Sequence, residues 1–109
     1  MERRKHHKRI TVNLEAEIII GGKSYAGVIE NMSECGICIR TSLSEIVMII
    51  PETTLEVKFK STGEEINLQC KAVWVLINKI PGGLRYKMGL DIIESPFPEY
   101  KEFLKTLFS

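Results

Sequence analysis

Five cations lie within the first nine residues of this 109-residue chain: Arg3, Arg4, Lys5, Lys8 and Arg9. With Glu2 they give the segment a net charge of +4, so residues 10–109 together carry −3 although the whole chain is only +1. Lysine and arginine bind phosphate, and the planar fork of arginine grips two acceptors at once. The charge pattern therefore predicts a local arm for binding an anion, not a uniformly basic surface.

A second candidate binding element is the polar stretch NMSECG at residues 31–36. Asn31 and Ser33 carry short side chains that bond to nearby backbone in turns. Gly36 permits a close approach that a Cβ would block. One interpretation is a tight connection between strands. The other is a small polar ledge of an amide, a hydroxyl and backbone N–H groups, which suits a phosphate or a base edge.

Cysteine and histidine spacing raises a metal or redox hypothesis, because Cys35 and Cys38 form a C-x-x-C pattern. Residues three apart on a strand point to opposite faces, so the two thiols are expected to diverge. The remaining candidate ligands are Cys70, His6 and His7. We expect buried thiols and no metal site. The two histidines are expected in solvent, where protonation at about pH 6–6.5 would strengthen anion binding by the arm.

A two-residue period of apolar side chains dominates the chain after Arg9 and predicts antiparallel strands. The predicted strands are ITVNLEAEI, KSYAGVIE, GICIRT, LEVKFK, INLQCKAVWVLI and LRYKMGLDII. Glycine-containing turn signals follow the first, fourth and fifth of them. The segment SLSEIVMIIPE fits neither period, and we interpret it as a loop that plugs one end of the sheet.

The fifth predicted strand has one apolar face and one mixed face. The apolar face holds Ile66, Leu68, Cys70, Ala72, Trp74 and Leu76. The opposite face begins polar and becomes apolar at Val73, Val75 and Ile77, so only the second half of the strand is expected to be covered on both sides. Trp74, on a regular apolar face, is expected in the core.

The covering element is predicted to be a C-terminal helix at about residues 96–108. Ser95 is a suitable N-cap, and Pro96 is tolerated at the first helical position. Six apolar side chains recur at helical spacing: Phe97, Tyr100, Phe103, Leu104, Leu107 and Phe108. Six strands with one closing helix predict an all-β fold, a small antiparallel barrel over residues 10–109, because closure removes exposed edges. Residues 1–9 are expected to form a separate, flexible basic arm.

The basic arm followed by Asn-x-Ser-x-x-Gly at the start of a strand resembles the PilZ domain, a bacterial receptor module for cyclic di-GMP. That family joins an Arg-x-x-x-Arg arm to an (Asp/Asn)-x-Ser-x-x-Gly motif on a six-stranded barrel. An apolar strand like KAVWV, a glycine-containing strand like KMGLDI and a terminal helix also agree, so the resemblance covers nearly the whole chain. It implies that cyclic di-GMP binds at Arg4, Lys5, Lys8, Arg9, Asn31, Ser33 and Gly36.

The arm departs from the family pattern. Four positions before Arg9 stands Lys5 where the family has arginine, and Arg4 lies five positions back but at the family spacing from Lys8. The binding pair is therefore Lys5 with Arg9, or Arg4 with Arg9 and one residue looped out. Loss of one bidentate arginine contact costs about 1–3 kcal/mol, which makes weak binding one expectation. Whether one ligand or a self-intercalated pair binds stays open.

The resemblance implies a receptor or adaptor whose arm orders over the ligand and so signals to a downstream protein partner. It implies no cofactor, and the chain has no nucleophile–base–orienter set that would indicate an enzyme. Two alternatives stay open. A small barrel could bind DNA or RNA through its arm, although the rest of the chain is net negative. A degenerate PilZ-like adaptor could have lost its ligand, as the lysine at position 5 suggests.

Composition places the chain in a broad class. Three cysteines and no export signal predict reduced thiols in a cytoplasm. No apolar run approaches the roughly 18–20 residues that a membrane span requires. We therefore expect a cytoplasmic monomer or dimer without a membrane span.

Overall fold

A computed structural model describes residues 8–44, 46–61, 63–96 and 98–108 of the chain. Its elements are β1 (Ile10–Ile20), β2 (Lys23–Met32), β3 (Gly36–Leu43), β4 (Thr54–Ser61), β5 (Glu64–Ile80), β6 (Gly83–Glu94) and α1 (Glu99–Phe108). The strands are antiparallel and close into a barrel in the order β1-β2-β3-β6-β5-β4. The predicted six-stranded antiparallel barrel with a C-terminal helix is confirmed. Within the described residues, no helix is long and apolar enough to span a bilayer.

Alternation of side chains along the strands fills the barrel as the sequence predicts. Leu55, Val57 and Phe59 of β4 are buried, and Glu56 and Lys58 between them face outward. β6 repeats the pattern with Tyr86 and Met88 inside. Each such side chain contributes about 1.5–3 kcal/mol when it is fully buried.

β5 departs from the predicted alternation at a bulge between Ala72 and Trp74. Ala72 pairs with Leu90 on the inner face, whereas Trp74 pairs with Gly89 and is 40% exposed. An extra residue inverts the side-chain period, so Leu76 also turns outward and is 57% exposed. The prediction that Trp74 lies in the core is therefore wrong.

α1 lies at the barrel end where β1 begins and β2 and β4 end, not over the second half of β5 as predicted. The ring of Phe103 packs against Phe59, with centroids 5.1 Å apart. The helix begins at Glu99, later than predicted, and the carbonyl oxygens of Pro96 and Pro98 accept hydrogen bonds in its first turn. The first helical hydrogen bond runs from the N–H of Tyr100 to the carbonyl oxygen of Pro96, over 3.0 Å.

The segment between β3 and β4 lies at the opposite end. The N–H of Val47 donates to the hydroxyl oxygen of Tyr86 over 3.1 Å, and that hydroxyl donates to the Val47 carbonyl oxygen over 3.0 Å. Ile49 is buried beside them. These contacts hold the segment against the core, in line with the predicted plug.

Candidate functional site

Arg9, the last residue of the predicted arm, and the predicted motif meet at one end of the barrel. Arg9 directly precedes β1, and the motif turn joins β2 to β3 at that same end because the strands are antiparallel. Nη1 of Arg9 donates to Oδ1 of Asn31 over 2.6 Å. A Cβ built on Gly36 would lie 3.0 Å from Nη2 of Arg9 and 2.9 Å from the Leu90 carbonyl oxygen. Arg9 therefore lies over Gly36 in a position that only glycine leaves open.

Ser33 shapes the motif turn from inside. Its side chain is 1% exposed, and its hydroxyl oxygen accepts hydrogen bonds from the N–H groups of Cys35 and Gly36 over 3.3 and 3.2 Å. The Ser33 N–H in turn donates to the Gly36 carbonyl oxygen over 2.8 Å. The Ser33 hydroxyl and the Gly36 N–H therefore form hydrogen bonds within the turn. The ledge hypothesis had assigned them to ligand binding.

Two further contacts fix the motif turn to the rest of the molecule. The N–H of Ile92 in β6 donates to the carbonyl oxygen of Cys35 over 2.8 Å. The hydroxyl of Tyr100 in α1 donates to the carbonyl oxygen of Ser33 over 2.6 Å, and burial raises the pKa of this tyrosine above its usual range. The turn is therefore bonded to both β6 and α1.

A row of paired residues crosses the outer surface beside the turn. Asn31 pairs with Cys38, Cys38 with Gly89, and Gly89 with Trp74. A Cβ on Gly89 would overlap the indole of Trp74, so the ring lies directly over this glycine. These four residues, with Gly36, form what we call the site face. The Arg9 guanidinium covers Gly36 and the Trp74 ring covers Gly89, so both side chains lie close to the backbone of this face.

An ion group borders the site face on the side away from the turn. Nε of Arg40 donates to Oε2 of Glu30 over 2.8 Å, and Nζ of Lys87 lies 3.4 Å from Oε1 of the same carboxylate. The hydrogen bond from Arg40 lowers the pKa of Glu30, burial opposes this, and Lys87 lowers it further. The side chains of Arg40 and Lys87 therefore lie beside the site face, and both contact the Glu30 carboxylate.

The Cys38 thiol at the centre of the site face lies among charged groups. Burial raises the pKa of the Cys38 thiol and Glu30 raises it further, while Lys87 and Arg9 lower it. Cys38 is buried on β3, and Cys35 lies in the turn before that strand. Within the described parts of the chain, no three His, Cys, Asp or Glu side chains group as a metal site would.

The structure thus brings together part of the predicted set. Arg9, Asn31 and Gly36 are in contact, and Ser33 supports them from below. Lys8 is exposed next to Arg9. Arg4, Lys5, His6 and His7 lie outside the described residues.

Sequence reasoning missed three features of the site face. Trp74 was assigned to the core because periodicity does not reveal a bulge. Gly89 carried a usable signal, since glycine inside a strand often marks a close approach. Arg40 and Lys87 are placed opposite each other by the β3–β6 register, which the sequence alone does not give.

Comparison with known proteins supports one family. A family model described as the PilZ domain matches residues 2–104. No match was found among curated proteins.

Among solved structures, the fold is similar to that of the Bacillus subtilis inhibitor of motility MotI/DgrA, with a TM-score of 0.73 and 15% identity over 96% of this chain and 49% of that chain. It is also similar to the Borreliella burgdorferi PlzA protein in complex with c-di-GMP, with a TM-score of 0.59 and 15% identity over 90% of this chain and 48% of that chain. The chain spans about half the length of each, and the likeness is one of fold. With a family model over nearly its whole length and the barrel that the family implies, the chain belongs to the PilZ domain family.

Proposed function

We propose that this domain is a receptor for cyclic di-GMP, which binds on the site face beneath the basic arm. The observation that carries the proposal is the Arg9 guanidinium, held by Asn31 over Gly36, where there is no Cβ. Membership of the PilZ family supports it, as does the c-di-GMP bound to PlzA.

Arg9 supplies the first contact to the ligand. Asn31 uses one of the five N–H donors of the guanidinium and fixes its orientation, so other donors remain for a phosphate or for the O6 and N7 atoms of guanine. A side chain already held in its binding geometry loses less entropy when the ligand arrives. Each bidentate contact of this kind contributes about 1–3 kcal/mol.

Trp74 supplies an apolar surface on the other side of the floor. Its indole is partly exposed over Gly89, one strand pair away from Cys38. Stacking of a base on an aromatic ring contributes about 1–3 kcal/mol. A guanine that lies on the floor between Arg9 and Trp74 receives hydrogen bonds from one side and a stacking surface from the other.

The other cationic residues of the arm add positive charge to the proposed ligand site. Arg4, Lys5 and Lys8 neutralise the second phosphate when the arm folds over the ligand, and ordering each arm residue costs about 1–2 kcal/mol. The anchored Arg9 reduces the number of residues that must order. The closed arm changes the surface that a downstream protein meets, and a protein of this fold is named for inhibiting motility.

Isothermal titration with cyclic di-GMP tests the proposal. Arg9→Ala and Asn31→Ala are expected to weaken binding about ten- to a hundredfold. Arg85→Ala removes an exposed arginine outside the site face and is the matched control, expected to bind as the parent does. Linear GMP at the same concentration controls for binding of any guanylate.

A parent protein that releases no heat with cyclic di-GMP would favour an adaptor without ligand binding. Equal affinity of the parent and Arg9→Ala would show that the ligand binds elsewhere.

A further inference from the structure

A bulge in β2 sends two consecutive side chains to the outer surface of the barrel. The β2–β3 register shifts between Ile29 and Asn31. Ile29 and Met32 are both buried, although residues three apart on a regular strand lie on opposite faces. Glu30 and Asn31, between them, both form contacts on the outer face. Bulges re-aim side chains in this way and are common beside functional sites.

Each of these two β2 side chains holds one arginine. Asn31 accepts a hydrogen bond from Nη1 of Arg9 over 2.6 Å. Glu30 accepts one from Nε of Arg40 over 2.8 Å, and Nζ of Lys87 lies 3.4 Å from the same carboxylate. Each contact uses one of the five N–H donors of a guanidinium and fixes the direction of its planar fork. The bulge therefore orients two arginines on one surface.

Arg40 and Lys87 lie in a second row across this surface. Arg40 follows Cys38 by two residues on β3, and Lys87 precedes Gly89 by two residues on β6, so they share the outer face of the site face. Arg40 pairs with Lys87, and Lys87 pairs with Leu76 of β5. Two strand residues span about 7 Å, which separates this row from the row of the site face. The second row, as we call it, consists of Glu30, Arg40, Lys87 and Leu76.

The two rows carry the same kinds of group. The row of the site face has Arg9, held by β2, at one end and the partly exposed Trp74 of β5 at the other. The second row has Arg40, held by β2, and ends at the exposed Leu76 of β5. Cyclic di-GMP is built from two identical guanylate halves, and one nucleotide unit is long enough to join the two rows. The surface therefore matches the repeated structure of the ligand.

The charge of the second row suits a phosphodiester. Its two cations and one carboxylate give a net charge of +1, whereas residues 10–109 together carry −3. The Glu30 side chain is 28% exposed, against 39% for Arg40 and 47% for Lys87, so the cations are closer to solvent than the carboxylate. Each cation has further N–H donors besides the one that contacts Glu30.

We propose that Arg40 and Lys87 bind the second phosphate of cyclic di-GMP from the barrel side, and that Glu30 positions them. The inference rests on the receptor function proposed above and adds a subsite to it. Arg9 and the site face hold one guanylate half, and the second row holds the other. The cations of the arm meet the same phosphate from the solvent side. Because Glu30 is itself an anion, it also weakens the attraction of the two cations for phosphate.

Isothermal titration with cyclic di-GMP tests the subsite. Lys87→Met and Arg40→Gln are each expected to weaken binding about tenfold, since each removes a charge-assisted hydrogen bond. Lys87→Arg keeps the charge and is expected to bind within about threefold of the parent. Lys58→Met removes an equal charge on the far side of the barrel and is the matched control, expected to bind as the parent does. Circular dichroism checks that each variant is folded.

Glu30→Gln separates a role in binding from a purely structural role. The amide oxygen still accepts the Nε–H of Arg40, and the negative charge is removed. We expect cyclic di-GMP to bind this variant about two- to fivefold more tightly than the parent. Weaker binding by Glu30→Gln would contradict the subsite, because the carboxylate would then matter only for holding the strands together.

The linear dinucleotide GpG shows whether the second phosphate is the group that is bound. GpG has both guanines but a single phosphate, which can bind at Arg9. Lys87→Met is therefore expected to lower the affinity for GpG less than about threefold. An equal loss of affinity for GpG and for cyclic di-GMP would overturn the assignment to the second phosphate.

The outcomes distinguish this inference from the receptor function. A parent that binds cyclic di-GMP no better than Lys87→Met and Arg40→Gln would overturn the subsite and leave the receptor function standing. A parent that does not bind cyclic di-GMP would overturn the receptor function and the subsite with it.

Discussion

At the scale of single residues, the motif serine, Ser33, has a structural role in the turn. Ser33 is buried, and its hydroxyl oxygen accepts two backbone N–H groups of the turn. The sequence offered two interpretations of this residue, a tight turn and a binding ledge. Ser33 stabilises the turn, and the turn places Gly36 next to Arg9.

Ser33→Ala is expected to lower the free energy of unfolding by about 1–3 kcal/mol, because it leaves two N–H groups of the turn without their acceptor. Urea denaturation measures the loss. Ser42→Ala, on the exposed side of β3, is the control and is expected to change stability by less than about 0.5 kcal/mol. Equal losses in the two variants would contradict this role of Ser33.

Gly89→Ala tests the floor of the site face. The new Cβ overlaps the indole of Trp74, which must swing outward. Trp74 is the one tryptophan of the chain, so its fluorescence reports this movement directly. We expect a red shift of the emission and about a tenfold loss of affinity for cyclic di-GMP, equivalent to about 1.4 kcal/mol of lost stacking. Unchanged emission together with unchanged affinity would remove Trp74 from the site.

At the scale of elements, periodicity predicts most of the barrel and fails at one position. The alternation in β4 survives because this strand keeps a regular ladder with β5, and the alternation at Tyr86 and Met88 of β6 follows its regular ladder with β3. In β5 the bulge after Ala72 reverses the faces, and nothing in the apolar pattern WVLI marks the extra residue. The same bulge carries Trp74 out of the core and onto the site face.

The part of the candidate site that depends on local sequence was predictable, and the part that depends on strand register was not. Arg9, Asn31 and Gly36 are identified by residue type and spacing. Arg9 stands only two residues before Thr11, which pairs with Asn31, so the contact between them needs no long-range register. The Trp74 and Lys87 contributions depend on which strands are neighbours, and β3 meets β6 across a long sequence separation. The β3–β6 register depends on how the whole barrel closes, so it cannot be predicted from a short motif.

Tyr100 links α1 to the motif turn through a buried hydrogen bond to the Ser33 carbonyl oxygen. Tyr100→Phe is expected to destabilise the fold by about 1–2 kcal/mol and to speed hydrogen exchange in α1 more than in β4. Tyr25→Phe, on half-buried Tyr25 of β2, is the comparison. Exchange of α1 amides at the parent rate would show that the bond does not anchor the helix.

The ion group joins β2, β3 and β6, and it predicts a pH dependence. The pKa of Glu30 is lowered in the folded state from 4.5, chiefly by its hydrogen bond from Arg40. Its contribution to stability is therefore present above about pH 4.5 and is lost as the pH falls through the lower folded value.

Glu30→Gln is expected to lower the unfolding free energy by about 0.5 kcal/mol at neutral pH and by less once the parent carboxylate is protonated. Urea denaturation at both pH values measures the difference, with Glu15→Gln on the outer side of β1 as the control. A loss that persists unchanged in acid would show that charge is not its cause.

At the scale of the whole molecule, the described parts of the proposed binding site lie at one end of the barrel. Arg9 lies at that end beside the motif turn, and α1 is bonded to the turn. A ligand that pulls the arm down therefore acts on a turn already connected to β6 and the helix.

The location of the ligand is the most direct test, and a ¹H–¹⁵N NMR titration with cyclic di-GMP measures it. The backbone signals of Gly36 and Gly89 and the indole N–H signal of Trp74 are expected to shift most. Glu17 and Lys58, paired on the far side of the barrel, are expected to stay in place. Shifts that cluster around Glu17 and Lys58, with the site face unmoved, would contradict binding at the Arg9 end.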